Sequence, residues 1–123
     1  MEKELLARIK ELEETVELLS FQQQLLFSNT DSDRMLFEYK ITKQQYLLIV
    51  DLMERYRYKI DNNEDVDHNV FEQDMYNLIP SVKGDYHFVE LLTRSFWEEG
   101  RWEEVFETLY KILPKYKNIT KGL

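Results

Sequence analysis

Residues 2 to 27 repeat large aliphatic side chains at helical spacing without a break. Leu5, Ile9, Leu12, Val16 and Leu19 follow at intervals of four, three, four and three, and Leu26 resumes the phase after Gln23. That alternation keeps the residues in one stripe along a helix and is the seam pattern of a coiled coil. With Ile9 and Val16 at a, Leu12 and Leu19 take d, Arg8 falls at g and Glu13 at e. β-branched a residues with leucine at d favour parallel two-stranded coils, and opposite charges at g and e can bridge two chains. Leu5, Ile9, Leu12, Val16 and Leu19 are therefore the expected oligomer interface. Leu18, Phe21 and Leu25 widen the apolar face and open the alternative that the helix packs on the protein's own body.

Past this helix, "SNTDSD" at 28–33 interrupts the pattern with side chains that compete for backbone hydrogen bonds, and a short helix is expected over about 34–39. Thr42 and Gln45 have the spacing of a capping box, with Ile41 and Tyr46 placed as a hydrophobic staple. The helix they start runs to about Ile60, with Tyr46, Ile49, Val50, Met53 and Ile60 on its apolar side. A further helix spans about Val70 to Ile79 before Pro80, and Asp85 caps another that ends against Gly100. The last, "RWEEVFETLYKIL", stacks Trp102, Phe106, Leu109 and Leu113 and stops at Pro114. Lys115, Lys117 and Lys121 then form a basic tail that reads as frayed. The expected architecture is all-α: a compact multi-helix bundle in one domain, 1–123. It comprises the heptad-patterned helix (1–27), a helical body (34–113) and the tail (114–123).

The composition agrees and sets exclusions. Apolar content of 43% in 123 residues is enough for a core, and three Gly with two Pro are too few for the turns of a many-stranded β fold. No cysteine is present, which removes disulfides, thiolate metal sites and a cysteine nucleophile. "MEKELLARIKELEE" alternates charge with leucine and lacks the apolar core of a signal peptide, so the expected location is the cytoplasm. A formal charge of -8 disfavours nucleic acid and anionic membrane as partners.

The one metal-like pattern is "DNNEDVDHNVFE" at 61–72, with Asp61, Asn63, Asp65 and Glu72 at positions one, three, five and twelve of an EF-hand loop. Position six of such a loop needs positive φ and takes glycine, but here it is Val66. The expectation is no metal and no cofactor, with calcium binding a minor alternative. "ERYRYK" at 54–59 mixes basic and aromatic residues, yet on a helix Arg57 points away from Arg55 and Lys59. His68 and His87 have no second histidine at ligand spacing, and no GxSxG, Walker A, GxGxxG or HExxH occurs. No catalytic residue is assigned and the chain is read as non-enzymatic.

Trp97 and Trp102 are each either core or partner anchor, since tryptophan is favoured in binding hot spots. With the acidic residues Asp61, Glu64, Asp65 and Asp67 they are the candidate partner-facing residues. Residues 61–74 hold six acids and no Lys or Arg, and 98–107 hold five Glu against one Arg. That density raises a second functional class, an acidic inhibitor that mimics nucleic acid in a basic protein groove.

Four segments, "ARIKELEETVELL", "YKITKQQYLLIVDLMERY", "VFEQDMYNLI" and "FWEEGRWEEVFETLYKIL", together carry a resemblance. The first is similar to the opening helix, the second to the capped second segment and the last two to the closing helices of the YhaI-like family of small uncharacterised bacterial proteins. The last segment carries a Glu-x-Gly-x-aromatic-x-Glu turn at Glu98, Gly100, Trp102 and Glu104. The resemblance runs from about residue 8 to 113 and implies an all-helical homo-oligomer with no known activity. "EEGRWEEVFETLYKIL" also resembles part of a tetratricopeptide repeat, but no 34-residue self-similarity accompanies it. The expected function is thus a cytoplasmic, homo-oligomeric module that binds another protein.

Overall fold

Caps and turn residues divide the chain into helices. The computed structural model describes residues 1–121, and among these the protein is all-α, with no strand. Six α-helices follow in order: α1 Glu2–Ser28, α2 Asp31–Glu38, α3 Lys43–Asp61, α4 His68–Leu78, α5 Tyr86–Glu98 and α6 Glu103–Leu109. Single 3-10 turns occupy Pro80–Val82 and Pro114–Tyr116. Two compact units are formed, Met1–Tyr46 and Leu47–Leu123, so the boundary falls within α3.

In the first unit α1 and α2 pack together. Asn29 ends α1 in the left-handed region (φ 52°), and its N–H donates to the Leu25 carbonyl. The helix expected over 34–39 begins three residues earlier. Thr30 is its cap, accepting the Asp33 amide at 3.2 Å, so the first acids of "SNTDSD" form the opening turn of α2 rather than a loop. Asp31 and Asp33 there sit where a helix N-terminus favours negative charge. The core comprises Phe21, Leu25, Leu36 and Ile41, with the Phe21 and Tyr46 rings 5.7 Å apart. The capping box that starts α3 is complete: Gln45 N–H donates to Thr42 Oγ1 at 3.1 Å, and Thr42 N–H donates to Gln45 Oε1 at 3.0 Å.

In the second unit the buried face of α3 is Ile49, Leu52, Met53 and Tyr56. Leu52 and Tyr56 take the places expected of Val50 and Ile60, which are half-buried. α4 starts two residues before Val70, at the Asp67 cap, and α5 starts at Asp85, whose carboxylate accepts the Phe88 amide at 3.1 Å. Tyr56, Phe71, Tyr110, Phe106 and Trp97 form a continuous line of rings, with centroids 4.8, 6.3, 6.0 and 5.0 Å apart in turn. α6 is shorter than the 101–113 helix read from the sequence. Trp102 lies outside it as a left-handed N-cap (φ 49°), and Tyr110 ends it. The tail is not frayed over its described part. Tyr116 is buried and donates to Glu90, Lys115 pairs with Glu90 at 2.7 Å, and Lys121 pairs with Glu103. Residues 122 and 123 lie outside the described residues.

Candidate interaction surface

The surface is built on one helix that carries two apolar faces. Successive α-helical residues are about 100° apart, so Phe21 lies about 160° around the helix from Leu19. Phe21 and Leu25 are buried, at 6% and 5% exposure, and Leu18 beside them is half-buried. These residues were expected to widen the heptad stripe. They form instead a separate face, opposite to it, that holds α1 against the rest of the first unit. The heptad stripe is left uncovered. Leu5, Leu12, Val16 and Leu19 are more than half exposed, Ile9 is 43% exposed, and Leu26 continues the stripe at 54%. Leu6 and Phe27, one residue after Leu5 and Leu26, are exposed beside it. Every residue from 2 to 16 is exposed. Ile9, Leu12 and Val16, with Glu13 and Glu17, line a shallow apolar depression along the helix.

The two tryptophans divide differently. Trp97 is 2% exposed, stacks near Phe106 and donates its indole N–H to Glu107 at 3.1 Å, so it is core and not a partner anchor. Trp102 is half-buried. Its N–H donates to Glu54 at 2.8 Å, its ring meets Phe96 edge-on at 5.0 Å, and the Arg101 guanidinium lies 4.7 Å from it.

The acidic loop is organised by helix ends. Asp61 closes α3, and Asn63 takes the left-handed position (φ 58°). Its N–H and that of Glu64 donate to the Ile60 and Lys59 carbonyls at 3.0 and 2.9 Å. This is the double bond of a Schellman cap. Asp67 caps α4, its Oδ1 3.2 Å from the Asn69 amide. Glu72, which a calcium loop would need as its twelfth ligand, is buried and accepts the Tyr110 hydroxyl at 2.7 Å. No cluster of three metal-ligating side chains is assembled among the described residues. Asp61, Glu64, Asp65 and Asp67 stand exposed at the surface. The five glutamates of 98–107 are each engaged within the chain: with Arg94, Arg101, Lys121, Arg57 and the Trp97 indole in sequence order.

The burial of two carboxylates, Glu72 and Glu90, was not foreseen from the sequence, which placed Glu72 only in the calcium-like pattern. Glu72 and Glu90 are 8% and 4% exposed, and each is held by tyrosine. Burial, and then the hydrogen bond to Glu72, push the Tyr110 hydroxyl far above the usual tyrosine range. Tyr116 is raised by burial and by Glu90, Tyr56 by burial and its 2.7 Å bond to Asp74, and Tyr76 by burial and the nearby Glu72. Lys115 is also raised, chiefly by its bond to Glu90. Tyr110 and Tyr116 bind these two carboxylates, Tyr56 binds Asp74, and no buried side-chain nitrogen or oxygen among the described residues lacks a hydrogen-bond partner. No helix among the described residues is long and apolar enough to cross a membrane. No protein-family model, curated protein or solved structure matches the chain.

Proposed function

We propose that this protein is a non-enzymatic interaction module that self-associates through residues 5–26 of α1 and presents the remainder of the chain to a protein partner. The observation that carries the reading is the helix with two faces. One face is consumed within the first unit; the other keeps six large aliphatic residues in water at heptad spacing. Helix nucleation is costly, and in proteins most helical stability comes from tertiary packing of an amphipathic face. Residues 2–16 are helical and exposed throughout, so packing against another molecule supplies what the first unit does not.

The area is sufficient. A Leu, Ile or Val side chain contributes about 1.5–3 kcal/mol on full burial, which at about 25 cal/mol per Å² is about 60–120 Å². Six such residues on each of two chains amount to around 1,000 Å², the threshold for a specific interface. Membership of the YhaI-like family and a cytoplasmic location belong to the same proposal, since the resemblance implies a homo-oligomer and the chain has no cysteine.

Light scattering on the intact chain tests the reading. The native protein is expected at twice the single-chain mass or more, and Ile9→Glu with Leu12→Glu at the mass of one chain, with its second unit still folded by near-ultraviolet circular dichroism. A native protein that is monomeric at every concentration, and unaffected by the two changes, refutes it.

A further inference from the structure

The partner on the stripe has a definite orientation. We propose that α1 pairs with α1 of a second copy of this chain, parallel and in register, and that Gln23 selects this arrangement. The proposal rests on the self-association reading above and goes on to specify its geometry.

Gln23 is the a residue that follows Ile9 and Val16, and it is exposed between the d residues Leu19 and Leu26. A polar residue at one a position is a device for fixing coiled-coil register and strand number. The glutamine amide carries both donors and an acceptor. In a parallel, in-register pair the two Gln23 side chains face each other, and each amide can donate to its copy. The same register sets Arg8 at g of one chain beside Glu13 at e of the other, on both sides of the pair. Ile9 and Val16 then face their own copies at a, and Leu5, Leu12, Leu19 and Leu26 face theirs at d.

The antiparallel arrangement with comparable overlap fails on the same residues. Pairing a with d across antiparallel chains sets Ile9 opposite Leu19 and Val16 opposite Leu12. Gln23 is then opposite Leu5, and Glu2 opposite Leu26. A buried amide and a carboxylate would each face leucine, without a hydrogen-bond partner. The flanking positions would bring the two copies of Glu13 together, and like charges repel. Gln23, Arg8 and Glu13 thus favour the parallel pair, whereas Glu2, which faces its own copy there, favours neither arrangement. A heterologous partner has no reason to repeat this self-complementary spacing.

Because the chain has no cysteine, single substitutions report the orientation directly. Leu5→Cys and Leu19→Cys are prepared as separate full-length variants and equilibrated in a glutathione redox buffer. Each is expected to form a disulfide-linked dimer with itself, since identical d positions face each other only in a parallel, in-register pair. A native protein that is dimeric by light scattering, while neither variant links to itself, overturns the orientation and leaves self-association standing. Linking of Leu5→Cys to Gln23→Cys in a mixture would then identify the antiparallel pair. A monomeric native protein refutes the self-association reading itself. Adding Gln23→Leu to the Leu5→Cys variant is expected to lower the self-linked fraction as other arrangements become populated. An unchanged fraction overturns the role given to Gln23.

Discussion

At the scale of single residues, the second unit is organised around two glutamates whose environments differ by one cation. Glu72 is held by the Tyr110 hydroxyl at 2.7 Å, whereas Glu90 has both Tyr116 at 3.0 Å and Lys115 at 2.7 Å. Tyr110→Phe removes a hydrogen bond to a buried carboxylate and is expected to cost about 1.5–3 kcal/mol in urea unfolding. Tyr116→Phe is expected to cost less, because Lys115 still neutralises Glu90. Equal costs for the two would show that the lysine contributes nothing. The tyrosines also set a pH dependence. Tyr56, Tyr76, Tyr110 and Tyr116 hold their protons more tightly folded than unfolded. Their contribution is therefore complete below the ordinary tyrosine pKa of about 10 and is lost as pH rises above it. Urea midpoints should fall between about pH 10 and 11, and the fall should be smaller in Tyr110→Phe; a midpoint flat through that range contradicts the assignment. None of this was legible beforehand. Tyr110 is 38 residues from Glu72, and the sequence offered Glu72 only as the twelfth position of a calcium-like loop.

At the scale of elements, the ends of helices were the most legible part of the chain. The Thr42–Gln45 box, the Asp85 cap and the Gly100 stop are all local, and each lies where the residue types placed it. Gly100 has φ +76°, and its amide and that of Arg101 donate to the Trp97 and Phe96 carbonyls at 3.1 and 2.7 Å. A Cβ there would meet Glu103 Oε1 at 3.5 Å, an ordinary contact, so the cost of Gly100→Ala comes from the left-handed backbone. That cost should be about 1–2 kcal/mol in thermal or urea unfolding. A neutral substitution would mean the turn can relax. Where local signals misled, a tertiary contact was responsible. Trp102, Phe106, Leu109 and Leu113 fit a helical stripe, yet Trp102 adopts positive φ outside α6. Its indole bond to Glu54, 48 residues away, and its contacts with Phe96 and Arg101 hold it there. The acidic loop carries a local pattern of another kind. Its oxygens are spaced for calcium, but Asn63 and Asp67 serve as helix caps, a role that asparagine and aspartate take at any helix end.

At the scale of the molecule, the all-α class followed from periodicity and from the scarcity of glycine and proline. The two-unit division did not, because its boundary lies inside α3, where no composition change marks it. The most informative feature is the first helix. Its apolar residues could be read from the sequence as one wide face or as a seam with a neighbour. The separation of Phe21 and Leu25 from Leu12, Val16 and Leu19 on opposite sides decides which residues are available. Amide hydrogen exchange across residues 2–17 of the intact protein, followed by mass spectrometry as concentration is raised, tests that availability most directly. Protection of these amides is expected to increase with protein concentration, while the second unit stays constant, because only association shelters this part of the helix. Exchange over 2–17 that is independent of concentration would contradict self-association through α1.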